Sequence, residues 1–246
     1  MSLKGHRALI TGAGQGIGRA CADVFASRGA DLVLFEKNSE TLDEVAQELG
    51  KKGRDVTAVM LDLTDMDKLR SEVKKIGSTR LIDILVNNAG FDRPGTTAKM
   101  DRKGFEEVLG IHLTVPLLLI KWLLPPMRSS GWGRIINISS IYGLVGGKGE
   151  VAYSTAKAGV IGLTKSVARE AGPDGVTVNA VLPGLIRTPT IEKFMAARYK
   201  EEIIAGTPLG RIAEPEEVAK VIAFLASDDA SFITGAALPV SGGWGV

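Results

Sequence analysis

Residues 7–18, RALITGAGQGIG, decide the fold of this chain. The aliphatic run Arg7–Ile10 predicts a buried strand, and the helical pattern after it places Ile17, Cys21 and Phe25 on one face. Glycines between a strand and a helix let the backbone approach a pyrophosphate without interference from Cβ atoms, and the helix N-terminus supplies free N–H donors. The segment therefore predicts a dinucleotide-binding turn, with a purely structural glycine turn as the alternative.

The rest of the chain alternates short aliphatic runs with helical patterns. Further strands are predicted at Asp31–Phe35, Val56–Leu61, Leu81–Val86, Arg134–Ser139, Val176–Leu182 and Ala236–Val240. Helices are predicted at Thr41–Leu49, Leu63–Ile76, Phe105–Met127 and Val151–Ala171, with another from about Pro215. This order predicts an α/β fold: a Rossmann-like, doubly wound parallel sheet of about seven strands with helices on both faces. We expect a single domain over residues 1–246, with a substrate loop or lid at about 184–212.

The amino-acid composition fits this fold and argues against several other classes of protein. The 246 residues are 45% hydrophobic and 24% charged, with a net charge of +2 and no block of like charge, so neither disorder nor nucleic-acid binding is indicated. Cys21 is the only cysteine and no metal-ligand spacing occurs, so no disulfide and no metal are expected. The most apolar stretch, Leu113–Leu124, includes Lys121 and is shorter than the ~20 residues of a membrane span. We expect no membrane contact and, without an apolar signal segment, a cytoplasmic location.

A second group of residues indicates acid–base chemistry. Tyr153 and Lys157 are four residues apart on a predicted helix and therefore share one face. A phenol titrates near about 10, and a neighbouring ammonium group lowers that pKa, so the phenol can exchange a proton with a carbonyl oxygen. Ser140 follows a predicted strand, and open α/β sheets bind ligands at the carboxyl ends of their strands. By itself, this tyrosine–lysine spacing also arises by chance.

The motifs together resemble those of the short-chain dehydrogenase/reductase family. The resemblance rests on four segments along essentially the whole chain: Thr11-Gly12-x-x-x-Gly16-x-Gly18; Asn87-Asn88-Ala89-Gly90; Ser140 with Tyr153-Ser154-Thr155-Ala156-Lys157; and Asn179-Ala180-Val181-Leu182-Pro183-Gly184-Leu185-Ile186-Arg187-Thr188. It implies a nicotinamide-dependent oxidoreductase that interconverts a ketone and a secondary alcohol. Within the family, the sequence is most similar to 3-oxoacyl-thioester reductases and hydroxyacyl-CoA dehydrogenases.

The resemblance also implies catalytic roles. Tyr153 is expected to be the acid/base, Ser140 to orient the substrate oxygen, and Lys157 to bond the nicotinamide ribose and depress the pKa of Tyr153. The adjacent Ser139 is expected to support the turn. Relatives usually carry a fourth catalytic residue, an asparagine that holds a water in a proton relay, and His112 occupies that position here. His112 either holds the relay water through a ring nitrogen or fills the space without a relay.

A cofactor-binding set is implied in the same way. It comprises Gly12, Gln15, Gly16, Ile17, Gly18, Glu36, Asp62, Leu63, Asn88, Ala89, Gly90, Pro183, Gly184, Ile186 and Thr188, together with Tyr153 and Lys157. For Asn88 and Thr188, hydrogen bonding within a turn is the alternative role. Glu36 favours NAD(H), because its carboxylate can accept hydrogen bonds from both ribose hydroxyls and would repel a 2′-phosphate. Lys37 is the opposing signal, so NADP(H) is the second cofactor considered.

The substrate is less well defined than the cofactor. Its walls are expected from Phe91–Met100, Ile141–Val151 and Leu185–Ile212, which carry no decisive signal. A sugar or cyclic-alcohol dehydrogenase is the alternative within the family, and a catalytically silent nucleotide-binding regulator is the alternative outside enzymes. Apolar helical segments at Leu117–Leu124 and Val160–Val167 suggest a homotetramer.

Overall fold

Seven parallel strands form one sheet in this computed structural model, which describes residues 1–246. The strands are β1 (Arg7–Thr11), β2 (Asp31–Glu36), β3 (Val56–Met60), β4 (Ile84–Asn87), β5 (Gly133–Ile138), β6 (Val176–Pro183) and β7 (Ala237–Val240). Their order across the sheet is β3-β2-β1-β4-β5-β6-β7. The order reverses direction beside β1, and in such sheets the carboxyl ends of the strands border a ligand crevice at the reversal.

Ten α-helices connect and cover the strands. They are α1 (Gly16–Ser27), α2 (Ser39–Lys51), α3 (Met66–Gly77), α4 (Arg102–Leu109), α5 (Val115–Ser130), α6 (Tyr142–Val145), α7 (Val151–Ala171), α8 (Pro189–Phe194), α9 (Ala197–Ala205) and α10 (Pro215–Leu225). The lid segment expected at 184–212 contains α8 and α9. Helices lie on both faces of the sheet, as the alternating sequence pattern predicts.

Two apolar layers hold these helices to the sheet. Side chains alternate along a strand, so Ala8 and Ile10 of β1 pack with α1 and α10 on one face, whereas Leu9 packs with α3 and α5 on the other. The same alternation divides the side chains of β2 between the two layers. The sheet is therefore buried on both faces, which explains why its strands read as continuous apolar runs.

Several boundaries differ from those predicted, and local capping explains two of them. The helix predicted from Thr41 begins at Ser39, because Asn38 accepts a hydrogen bond from the Thr41 N–H. The helix predicted from Leu63 begins at Met66, with Asp65 accepting from the Lys68 N–H. β4 begins at Ile84, three residues after the predicted start at Leu81.

The long helix predicted over Phe105–Met127 is interrupted. A π-helical turn at Gly110–Thr114 separates α4 from α5 and contains His112. The combined segment Arg102–Ser130 has 29 residues and is long and apolar enough to cross a membrane by length and composition, unlike the shorter run considered above. Half of its most apolar window is buried, and Leu119, Leu123 and Met127 pack against the sheet, as in the core helix of a globular fold.

Candidate active site

A cavity of about 1190 Å³ runs along the carboxyl ends of the strands. It joins the glycine turn after β1 to the start of α7 and to the two helices of the lid segment. The predicted site residues that line it are Gly12, Gln15, Gly16, Ile17, Glu36, Asp62, Leu63, Asn88, Ala89, Gly90, His112, Ser140, Tyr153, Lys157, Pro183, Gly184, Ile186 and Thr188. Gly18 is the exception: it is buried beneath the turn, where a Cβ would collide with the carbonyl oxygen of Gly12.

The glycine turn has the shape that a pyrophosphate requires. Gly12 and Gly16 have φ angles of +65° and +56°, which favour glycine over residues with a Cβ. Gln15 is the N-cap residue of α1 and makes no side-chain capping bond, so the first N–H groups of α1 remain available to an anion. Across the turn, a Cβ on Gly16 would lie 3.1 Å from Cγ2 of Thr188. These residues fit a nicotinamide dinucleotide, whose phosphates the turn and the α1 N-terminus would hold.

Asn88 supports this turn from the neighbouring strand. Its Nδ2 donates to the carbonyl oxygens of Thr11 (2.9 Å) and Gly12 (3.1 Å). In return, Thr11 Oγ1 accepts hydrogen bonds from the backbone N–H groups of Asn88 and Ala89. Asn88 thus makes the turn hydrogen bonds that the sequence left as its alternative role. Thr188 likewise caps a helix, accepting from the Ile191 N–H at 3.4 Å.

The carboxylate of Glu36 lies beside the glycine turn and is held by the main chain. Oε2 accepts from the Gly14 N–H at 3.0 Å, and Oε1 accepts from the N–H groups of Lys37 (2.7 Å) and Asn38 (3.0 Å). The side chain of Lys37 turns away and pairs with Asp62. Hydrogen bonds from Lys37 and Thr64 lower the pKa of Asp62 to about 2. A carboxylate therefore borders the cavity beside the glycine turn, and the nearby ammonium group of Lys37 is already paired.

Ser140, Tyr153 and Lys157 converge at the other end of the cavity. Lys157 is 4% exposed, and its Nζ donates to the Ile138 carbonyl oxygen at 2.7 Å and lies 5.3 Å from the centre of the Tyr153 ring. Ser139 Oγ donates to the Lys157 carbonyl oxygen at 2.7 Å, which ties β5 to α7 and leaves Ser140 facing the cavity. The neighbouring serines therefore have different contacts, with Ser139 serving the framework.

The pKa of Tyr153 differs from the sequence-based expectation. Burial raises the pKa of the phenol, and the hydrogen bond with Ser140 only opposes that change in part. Burial also lowers the pKa of Lys157 to about 7, although the charge of Asp92 acts in the opposite direction. Desolvation is thus the largest influence on both groups, so the expected depression of the Tyr153 pKa is not found. Tyr153 is a neutral phenol at neutral pH, the form that can donate a proton.

His112 fills the space between Tyr153 and the loop after β4. It is 5% exposed, its ring stands edge-on to Tyr153 with 5.3 Å between ring centres, and its Nε2–H donates to the Phe91 carbonyl oxygen at 2.7 Å. Nδ1 is buried without a partner. Burial and the charge of Lys157 lower the pKa of His112 to about 3, so the ring is neutral. A Cβ on Gly90 would collide with this ring, which explains the glycine at that position.

Other polar residues near the reacting end were not predicted individually. Tyr142 on α6 contacts the hydroxyl of Tyr199 on α9, and the ring of Trp244 stands edge-on to Tyr142 at 5.5 Å. Glu150 and Asp92 also line this end. Glu150 carries the one readable signal, because it precedes Tyr153 by three residues at the start of a predicted helix. The pairings themselves join distant parts of the chain.

Ion pairs brace the lid segment against α10. Arg187 donates to Glu214 at 2.8 Å and to Glu192 at 3.1 Å, and Lys200 donates to Glu192 at 2.8 Å. Arg187 is therefore already paired with two carboxylates. The substrate end has no free cation at this position.

Comparisons with known proteins agree with this geometry. The sequence family described as Enoyl-(Acyl carrier protein) reductase matches residues 12–245. A 3-oxoacyl-(acyl-carrier-protein) reductase of Aquifex aeolicus is 41% identical in an alignment of 250 positions that covers 99% of this chain and 98% of that protein.

Solved structures are similarly close. A 3-oxoacyl-(acyl-carrier protein) reductase of Brucella melitensis with bound NAD has a TM-score of 0.92 at 32% identity, over 100% of this chain and 93% of that one. A structure from Beutenbergia cavernae is described as a putative NAD(P)-dependent gluconate 5-dehydrogenase with bound NADP. It has a TM-score of 0.94 at 37% identity and covers 99% of this chain and 98% of that one. The fold, the glycine turn and the full-length similarity lead to one conclusion: this chain belongs to the short-chain dehydrogenase/reductase family.

Proposed function

We propose that this nicotinamide-dependent oxidoreductase reduces the ketone of 3-oxoacyl thioesters to a secondary alcohol. The observation that carries the proposal is one continuous cavity joining the glycine turn to Ser140, Tyr153 and Lys157. The thioester is supported by the relative from Aquifex aeolicus, a 3-oxoacyl-(acyl-carrier-protein) reductase similar over nearly its full length. The intact serine, tyrosine and lysine argue against a catalytically silent regulator.

The side chains of this cavity account for the movement of the proton. When bound, the nicotinamide cofactor supplies hydride to the ketone carbon. Tyr153 donates its phenolic proton to the ketone oxygen, while the Ser140 hydroxyl holds that oxygen. Ketone, hydride and proton together give the alcohol and leave a phenolate at Tyr153. Lys157, 5.3 Å from the ring centre, stabilises that phenolate when it carries its own proton.

NAD(H) is the cofactor we propose for this chain. One similar solved structure contains NAD and another contains NADP, so similarity alone does not select between the two cofactors. Glu36 supports NAD(H), because three backbone N–H groups hold its carboxylate beside the glycine turn. A 2′-phosphate there would meet like charge. Because Lys37 is paired with Asp62, its positive charge does little to offset the repulsion between Glu36 and a 2′-phosphate.

A homotetramer in the cytoplasm is the setting we propose. Exposed apolar side chains, including Leu117 on α5 and Phe232 before β7, support association between copies of the chain. The free, buried thiol of Cys21 is consistent with a reducing compartment. Light scattering at micromolar concentration tests the assembly: particles of only 26.0 kDa would contradict it.

The substrate is tested by following oxidation of NADH and NADPH with a panel of carbonyl compounds. Acetoacetyl-CoA and acetoacetyl-carrier protein should be reduced with higher kcat/KM than cyclohexanone or 5-ketogluconate. Faster turnover of the sugar acid or the cyclic ketone would favour the alternative activities within the family. No turnover of any carbonyl or alcohol, combined with retained NADH binding, would favour a regulatory protein.

A further inference from the structure

Two carboxyl groups meet at the substrate end of the cavity, and the proton transfer described above uses neither. Glu150 lies at the N-cap position of α7, one helical turn before Tyr153, and Asp92 lies in the loop after β4. A hydrogen bond from the Gly95 N–H to the Gly149 carbonyl oxygen (2.7 Å) and a β-bridge between Gly95 and Glu150 join the two loops. Glu150 and Asp92 thereby line the same end of the cavity, where Asp92 contributes to raising the pKa of Glu150.

The side chain of Glu150 makes no structural hydrogen bond that would require a carboxyl group at this position. Although it lies at an N-cap, it makes no capping bond with α7. It passes over Gly147, where a Cβ would lie 2.9 Å from Glu150 Cγ, so the loop leaves room for this side chain. Arg93, the nearest arginine along the chain to Asp92, pairs with Glu107 instead. Arg93 therefore does not neutralise the pair, and the cation on which the charge of Asp92 acts is the buried ammonium group of Lys157.

The surroundings of Glu150 favour its protonated form. Glu150 Oε2 is buried and has no hydrogen-bond partner, so no donor stabilises a negative charge on it. Burial first, and the hydrogen bond with Asp92 second, raise the pKa of Glu150 to about 8. The titratable groups around it are Asp92 from the loop after β4, Tyr142 from α6 and Tyr153 from α7. Glu150 therefore holds a proton at neutral pH, and its single O–H group can turn from Asp92 to a substrate oxygen beside the catalytic tyrosine.

We propose that Glu150, which lies in the cavity wall beside Asp92, is a specificity-determining residue that donates a hydrogen bond to a second carbonyl oxygen of the substrate. A 3-oxoacyl thioester has such an oxygen two carbons from the reacting ketone carbon, and a simple ketone does not. The inference rests on the proposed function and deepens it, because it explains how the cavity distinguishes a thioester of a 3-oxo acid from other ketones. A buried donor left without its acceptor penalises the ketone that lacks the second oxygen.

The experiment compares two matched ketones, ethyl 3-oxobutanoate and 4-ethoxybutan-2-one, which differ in the second carbonyl. The measured quantity is the ratio of their kcat/KM values, in which the contributions of Tyr153, Lys157 and His112 cancel because both substrates use them. Glu150→Ala should lower the ratio about tenfold, the effect of one lost hydrogen bond. Glu150→Gln should keep the ratio near that of the wild type, because its amide N–H₂ group also donates.

A pH series gives a second readout that does not depend on the alanine variant folding. The wild-type ratio should fall as pH rises through about 8, where Glu150 loses its proton and its charge begins to repel the carbonyl. Glu150→Gln should show a ratio independent of pH, and Asp92→Asn should move the wild-type fall to lower pH. An unchanged ratio in Glu150→Ala, or the same pH dependence in wild type and Glu150→Gln, would overturn the inference. Failure of the wild type to reduce acetoacetyl-CoA would instead overturn the proposed function, which separates the two.

Discussion

The two ends of the cavity are built in different ways. At the cofactor end, main-chain groups hold the polar side chains: three backbone N–H groups donate to Glu36, and Asn88 Nδ2 donates to two carbonyl oxygens. At the substrate end, side chains from separate segments act on each other: Tyr142 on α6 contacts Tyr199 on α9, and Asp92 in the loop after β4 raises the pKa of Glu150. The positions of the polar side chains at the cofactor end are thus determined by the backbone. At the substrate end, they depend on which side chains the surrounding segments carry.

If the two ends are independent, the largest mutational effect should fall on turnover and leave cofactor binding intact. Tyr153→Phe removes the phenolic proton but keeps the ring that packs against His112. We expect kcat to fall by about 100- to 10,000-fold, the range for loss of an acid/base group. Fluorescence titration with NADH should give a Kd close to that of the wild type.

Tyr142→Phe is the matched control, since it removes a hydroxyl from the same cavity wall without touching the proposed proton donor. Its kcat should stay within about tenfold of the wild type, because it loses only the hydrogen bond with Tyr199. Near-wild-type turnover by Tyr153→Phe would contradict the proton transfer. A large loss of NADH affinity in that variant would contradict the independence of the two ends.

The second effect belongs to the cofactor end. Glu36→Ala removes the acceptor that we assign to the adenosine ribose, and kcat/KM with NADH should fall by about ten- to a hundredfold, as for a hydrogen bond to a charged group. The value with NADPH should rise, because the negative charge that would repel a 2′-phosphate is gone. Steady-state kinetics with both cofactors provide the measurement. A wild-type enzyme that prefers NADPH would show that Glu36 does not control the pocket.

Sequence alone could predict the cofactor end and most of the sheet because their signals are local. The turn between β1 and α1 is continuous in the chain, and Glu36 ends the next strand. Each strand is an apolar run bounded by turn residues, so six strand starts agree with the predicted ones to within one residue; only β4 begins later. Helix starts were less accurate where Asn38 and Asp65 supply caps.

The substrate end could not be predicted in the same way, because its properties arise from tertiary contacts. The π-helical turn at Gly110–Thr114 interrupts an otherwise helical pattern and places the His112 ring against Gly90. The pairing of Glu150 with Asp92 needs the bridge between two loops about 55 residues apart, which no periodicity reveals. The pKa of Tyr153 is raised by desolvation, and the spacing between Tyr153 and Lys157 in the sequence does not show how deeply the phenol is buried.

A third prediction concerns His112, which belongs to the substrate end but bonds to the main chain. His112→Asn keeps a side-chain donor for the Phe91 carbonyl oxygen, so kcat should change by about threefold or less. Because the pKa of His112 is about 3, its ring stays neutral from pH 5 to about pH 9, and the pH profile of kcat/KM should have the same limbs in both proteins.

His112→Ala is the contrasting variant, because it leaves the Phe91 carbonyl oxygen without its donor and opens space beside Tyr153. We expect kcat to fall by about tenfold. If the kcat of His112→Ala equals that of the wild type at every pH, the ring has neither a relay role nor a positioning role. A shift in one limb of the pH profile of kcat/KM in His112→Asn would show instead that the histidine titrates during turnover.

The smallest effect should come from Lys37, the residue that opposes Glu36 in the choice of cofactor. Its side chain is 74% exposed, and its ammonium group already pairs with Asp62, so Lys37 would have to give up that pairing to reach a 2′-phosphate. Exposed ion pairs contribute little, and we expect Lys37→Ala to change kcat/KM with NADPH by about threefold or less and to leave the value with NADH unchanged. The measurement is made beside Glu36→Ala under the same salt conditions, since screening affects both. A fall of more than tenfold with NADPH alone would mean that Lys37 leaves Asp62 to bind phosphate, so that a side chain rather than the backbone-held carboxylate governs this end as well.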